Sequence, residues 1–161
     1  MVDIMLGMDM ELIDFLVRAK ISTYACDNGN MARILRDGSK ELVYSKDDFR
    51  YRDRYFGYDP FVGEEIVWLN NVPVWAMNYY GAITSAHISR QEIYHFLKLA
   101  LRHVASEIPF RGPAFFSHAD FLYSNKVTGN TNSFTGMEYI YYNNINVYSL
   151  TYHGGIVGCK S

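Results

Sequence analysis

Apolar residues along the chain recur with two periods, and each change of period marks a new element. Leu12, Phe15, Leu16 and Ala19 stand three and four apart, which predicts an amphipathic helix over residues 9–20, left at Thr23-Tyr24-Ala25. Residues 26–46 are rich in Asn, Gly, Asp and Ser, with DNGN and RDGSK as turn signals, and read as an irregular crossing in which only 41–44 is strand-like. The stretch FRYRDRYFG (49–57) alternates with period two and predicts a strand carrying Arg50, Arg52 and Arg54 on one face. A Gly/Asp/Pro loop follows at 57–60.

Asn70-Asn71, between Leu69 and Val72, suits a two-residue hairpin because Asn tolerates the positive φ such a turn demands. With 69 opposite 72, 67 opposite 74 and 65 opposite 76, one hairpin face carries Ile66, Trp68, Pro73, Trp75, Met77 and Tyr79. The other carries Glu65, Val67, Leu69, Val72, Val74, Ala76, Asn78 and Tyr80. Ser89 with Glu92 forms a capping box that opens a second helix, with Ile93, Phe96, Leu97, Ala100, Leu101 and Val104 as its stripe and Pro109 marking its end. Residues 121–127 form a strand, and a second hairpin turns at Asn143-Asn144, with Met137, Tyr139, Tyr141, Asn146, Tyr148, Leu150 and Tyr152 on one face.

The second hairpin, GMEYIYYNNINVYSLTYHGGI (136–156), is a version of the first, GEEIVWLNNVPVWAMNYYGAI (63–83). The likeness extends upstream, since ELIDFL (11–16) echoes EIYHFL (92–97) and DFRY (48–51) echoes DFLY (120–123). Agreement of helix, strand and hairpin in the same order predicts a single α+β domain over 1–161 made of duplicated αβββ halves, about 9–83 and 89–157. Its antiparallel sheet carries two main helices on one face, which leaves an aromatic face to be a cleft, a dimer interface or internal core.

Composition narrows the function classes. Aromatic residues make up 16% of the chain, high enough to demand a place for many rings, and a net charge of -2 gives no footprint for direct nucleic-acid binding. No apolar run is long enough to span a membrane, no basic segment precedes an apolar one at the N-terminus, and Cys26 and Cys159 have no paired spacing, so a cytoplasmic protein is expected. The five histidines show no metal spacing, no nucleotide fingerprint is present, and neither a metal nor a cofactor is expected. The arginine stripe is expected to pair with Asp47, Asp48, Glu64 or Glu65.

Two candidate chemistries follow from the residues. Trp68, Trp75, Met77, Tyr79, Tyr148 and Tyr152 would line an aromatic cleft for a small, partly aromatic or cationic ligand, with Glu64 supplying opposite charge. Glu65 and Glu138 occupy matching positions in the two hairpins and are the alternative acid/base pair of a hydrolase or isomerase. A homodimerising module is the third reading.

The segments FLVRAKISTYA (15–25), GSKELVYSKDDFRYRDRYFG (38–57), FVGEEIVWLNNVPVWAMNYYG (61–81), IPFRGP (108–113) and VYSLTYHGG resemble a prokaryotic family known only as a domain of unknown function. Its members occur alone or behind helix-turn-helix regulator domains, which implies an effector-binding or dimerising role. No such DNA-binding head precedes residue 9 here, so direct transcriptional activity is not expected. The resemblance supplies no catalytic residues, and the reading it favours is a non-catalytic, effector- or sensor-type domain for a small molecule.

Overall fold

The computed structural model describes residues 2–24 and 32–158, with side chains from Asp9 onward. Cys26, Cys159 and the DNGN turn lie outside the described residues. Helix α1 (Val2–Ser22) starts before the apolar periodicity does, and Leu12, Phe15, Leu16 and Ala19 are its buried stripe. Then come β1 (Arg33–Ile34), β2 (Lys40–Lys46), β3 (Phe49–Gly57), β4 (Phe61–Leu69) and β5 (Val72–Ile83). Helix α2 (Arg90–Leu101) separates these from β6 (Phe115–His118), β7 (Phe121–Asn130), β8 (Ser133–Tyr142) and β9 (Ile145–Ile156).

Among the described residues nine strands join one antiparallel sheet in the order β1-β2-β3-β4-β5-β9-β8-β7-β6. The fold is therefore β-rich, dominated by one large sheet, which corrects the expected α+β class of αβββ halves in which two main helices on one face make up much of the structure. The extra strands are β1, the full length of β2, and β6, all in segments without clean alternation. They pair because β3 and β7 would otherwise present open edges of unsatisfied backbone N–H and C=O groups.

Both asparagine turns form as the residue type demands, with φ of 50° and 65° at Asn70 and Asn71 and 47° and 65° at Asn143 and Asn144. The strands above them slip by one residue. Trp68 faces Pro73 but Val67 faces Trp75, and Tyr141 faces Asn146 but Ile140 faces Tyr148, so each hairpin has a bulge with one extra residue on its second strand. The bulge overturns the expected division of faces. Glu65 and Val67 join Trp75, Met77 and Tyr79 on the buried side, whereas Ile66 and Trp68 move to the outer side.

The inner side packs against both helices. Leu16 and Ala19 of α1 and Ile93, Phe96 and Ala100 of α2 share one buried cluster with Tyr51, Val67, Trp75, Tyr123, Ile140 and Leu150. Ser89 caps α2, its Oγ accepting from the Glu92 N–H at 3.2 Å and donating to the Glu92 carboxylate at 2.6 Å. The helix stops at Leu101, capped by Arg102, well before Pro109.

Candidate functional site

The alternation that puts Arg50, Arg52 and Arg54 outward puts Tyr51, Asp53 and Tyr55 inward, so an acid lies on the apolar side of β3. Asp53 stands opposite Glu65, and at the corresponding register of the other hairpin Asn125 stands opposite Glu138. Tyr79 and Tyr152 face each other across the β5–β9 seam. Each reaches back to its own half: Tyr79 donates to Asp53 at 2.5 Å and Tyr152 to the Asn125 side-chain oxygen at 2.8 Å. Their rings lie over Gly63 and Gly136, where any Cβ would collide with the ring, so these glycines are what lets the tyrosines cross to the next strand.

Beyond this shared frame the two halves differ. Glu138 is saturated: Arg111 donates through Nη2 at 2.7 Å and Nε at 3.2 Å, Tyr123 at 2.6 Å and Tyr148 at 3.0 Å. Asn125 is satisfied as well, its amide donating to the Gly112 carbonyl at 2.8 Å. Glu65, fully buried, is paired with Lys20 from the last turn of α1, also fully buried. Among the described residues its Oε1 has no hydrogen-bond partner, nor do the hydroxyls of Tyr24 and Tyr51 or the indole nitrogen of Trp75. The Lys20 ammonium lies 5.7 to 5.8 Å from the ring centres of Tyr24, Tyr51 and Trp75, so these unpaired groups surround one buried cation.

A cavity of about 510 Å³ opens beside this less satisfied half, between α2 and strands β2 to β5. Asp53, Tyr79, Tyr24 and Arg111 form its floor, Tyr55, Tyr58, Phe61 and Tyr94 supply aromatic walls, and Lys40, His95 and Lys98 stand around it. Asp53 is 4% exposed, and one of its oxygens accepts from Tyr79 while the other has no hydrogen-bond partner among the described residues. Burial, then the neighbouring Glu65 carboxylate, push the Asp53 carboxyl up to about 7, against the opposing pull of the Tyr79 hydrogen bond. Burial likewise draws the Lys20 ammonium down, offset in part by Glu65, and raises the Tyr24 and Tyr51 hydroxyls.

The residues expected from sequence to form one cleft are separated by the fold. Tyr79 alone among them lines the cavity. Trp75 is sealed between Phe110 and Phe134, at ring-centre distances of 6.5 and 5.7 Å, and Met77, Tyr148 and Tyr152 are buried on the same side. Glu64 and Trp68 lie on the opposite side of the sheet, where Trp68 stacks under Arg50 and Arg52 and Glu64 pairs with Arg52 at 3.6 Å. Arg54 pairs instead with Asp37. Glu65 and Glu138, the alternative acid/base pair, are both held by cations and neither lines the cavity. Among the described residues no group of His, Cys, Asp and Glu could hold a metal ion, and no helix is long and apolar enough to cross a membrane.

A model of a known domain of unknown function matches residues 53–157, from Asp53 through both hairpins. The chain belongs to the DUF5680 family. No curated protein and no solved structure matches it. The DUF5680 span contains Asp53, Glu65, Tyr79, Arg111 and Glu138, whereas Tyr24 and Lys40, which complete the cavity lining, and Lys20, the partner of Glu65, come from the chain before it. Sequence reading missed Asp53, Lys20 and Arg111. The first two carried a signal: Asp53 shares strand parity with Tyr51 and Tyr55, and Lys20 follows Leu16 by four residues on the apolar stripe of α1.

Proposed function

We propose that this DUF5680 chain is a non-catalytic binding domain of effector type, whose small-molecule ligand occupies the cavity between α2 and β2 to β5. One observation carries this reading: a nearly buried carboxyl group, Asp53, presents an oxygen without a hydrogen-bond partner among the described residues to an open cavity with aromatic walls. The second Asp53 oxygen takes no hydrogen bond among the described residues and belongs to a residue that lines the cavity, so it is placed to receive a donor from a bound molecule. The volume suits a molecule of one or two rings. Glu65 and Glu138 are walled off from this space, so the hydrolase or isomerase reading built on them has no route for a substrate.

A screen of small molecules by melting temperature tests the reading, because a ligand that binds only the folded state raises the midpoint. Leu101, 3% exposed and on the cavity wall, supplies the control. Leu101→Trp should fill the space and abolish any shift while circular dichroism stays that of the parent. A shift that survives this substitution places the ligand elsewhere.

The outer face of the sheet supports a second reading, a homodimerising module. Val43, Val62, Tyr80, Leu122 and Met137 are all at least 40% exposed there. Light scattering decides it: a monomer at high concentration removes this reading and leaves the cavity.

A further inference from the structure

Resting on the cavity reading above, we propose that the ligand is a cation of the amine or amidine class, its N–H groups directed at Asp53 and its body against the rings of Tyr55, Tyr58 and Phe61. Three features of the molecule carry this. The first is the comparison between the halves. Asn125 holds the same register as Asp53, opposite a glutamate and under a tyrosine hydroxyl, and meets every demand of that position with a neutral amide. The frame therefore does not require an acid at Asp53, and the carboxyl there is surplus to the fold.

The second feature is the walls, which already receive a cation. The Lys40 ammonium lies 5.5 Å from the ring centre of Tyr55 and 6.0 Å from that of Tyr58, so the faces of these rings are turned toward positive charge at the cavity edge. A ligand cation that takes the place of Lys40 on these faces would lie against the same rings and within the space that Asp53 lines.

The third feature is the state of the other charges. Arg111 also faces the cavity, but its guanidinium is engaged by Glu138 through two hydrogen bonds. Glu65, opposite Asp53, is neutralised by Lys20. Lys98 and His95 are exposed on α2 and stand in water at the rim. Asp53 makes no ion pair among the described residues, although the charges of Lys20 and Arg111, each paired to a glutamate, also act on it. A carboxylate ligand would find the Arg111 charge already offset by Glu138 through two of its N–H groups, and otherwise the solvated rim, where a charge pair gains little.

The test compares three probes of one shape, phenethylamine, 2-phenylethanol and 3-phenylpropanoate, by calorimetric titration and melting temperature on the full chain. Phenethylamine is expected to bind best. Asp53→Asn, which copies the Asn125 position and should fold, is expected to weaken phenethylamine about tenfold or more, the loss that follows removal of a charge-assisted hydrogen bond, and to weaken phenylethanol far less, because the asparagine keeps an acceptor oxygen for a neutral hydroxyl. Tyr55→Leu gives an independent arm through the cation-facing wall and should weaken the amine more than the alcohol. Tighter binding of phenylpropanoate, undiminished amine affinity in both variants, or no response to any probe each overturns the amine assignment. The cavity reading fails separately, when the broader screen yields no ligand sensitive to Leu101→Trp.

Discussion

Asp53 owes its high pKa to position, and the same position makes the protein's stability depend on pH. Its folded-state carboxyl is raised to about 7, above the ordinary carboxyl range near 4 that applies in the unfolded chain. The native state therefore holds a proton that the unfolded state releases, so this group's contribution is fully present below about pH 4 and is lost as pH rises through about 7. Asp53→Asn fixes the neutral form. Its melting temperature relative to the parent should climb between about pH 4 and about pH 7 and level off above; a constant difference across that range would show that Asp53 titrates normally. Glu138 lies in a setting where removal should hurt more, since Arg111 would be left buried without its partner, a loss of about 3 to 5 kcal/mol for a pair of this kind.

Elements form here for reasons that differ in how visible they are along the chain. The α2 cap is local: Ser89 and Glu92 satisfy each other within one turn, and Ser89→Ala should cost about 0.5 to 2 kcal/mol in urea unfolding with an unchanged slope. The asparagine turns and the strand at β3 are local in the same sense, and the sequence shows them plainly. The bulges are not. Whether Val67 faces Val74 or Trp75 depends on one inserted residue, which changes no composition and breaks no alternation, yet it moves Trp68 from the expected cleft to the outer face beneath Arg50. Edge strands were equally hidden, since β1 and β6 are held by what β2 and β7 offer them rather than by their own pattern. The candidate site suffered most, because Lys20, Asp53 and Arg111 meet only once helix, sheet and the 109–113 loop have been brought together. Strand parity alone placed Asp53 inward, and following the inner side of β3 as closely as its arginine side would have found it.

At the scale of the whole sheet, stability should fall from the middle outward and fall faster on one side. β5 and β9 lie at the centre with neighbours on both sides, whereas β1 and β6 are the edges. Amide exchange should accordingly be slowest in β4, β5, β8 and β9 and fastest in β1 and β6. Strand order alone would make the two flanks nearly equivalent. Polar satisfaction does not: the β7–β8 flank closes around Glu138 with four donated hydrogen bonds, while the β3–β4 flank has beside a cavity the Glu65 oxygen and the hydroxyls of Tyr24 and Tyr51, all unpaired among the described residues. Each buried group left unpaired costs about 1 to 3 kcal/mol, and that cost is recovered when local opening lets water reach it. Residues of β3 and the last turn of α1 should therefore exchange faster than those of β7 and β8, by hydrogen-deuterium exchange read by mass spectrometry. A bound amine should slow β3 and leave the second set unchanged, because the cavity is lined by Asp53 and Tyr55 of β3 and by no residue of β7 or β8. Equal exchange on the two flanks in the free protein would mean that the orphaned groups cost nothing there, and the asymmetry between the halves would then be geometric without being energetic.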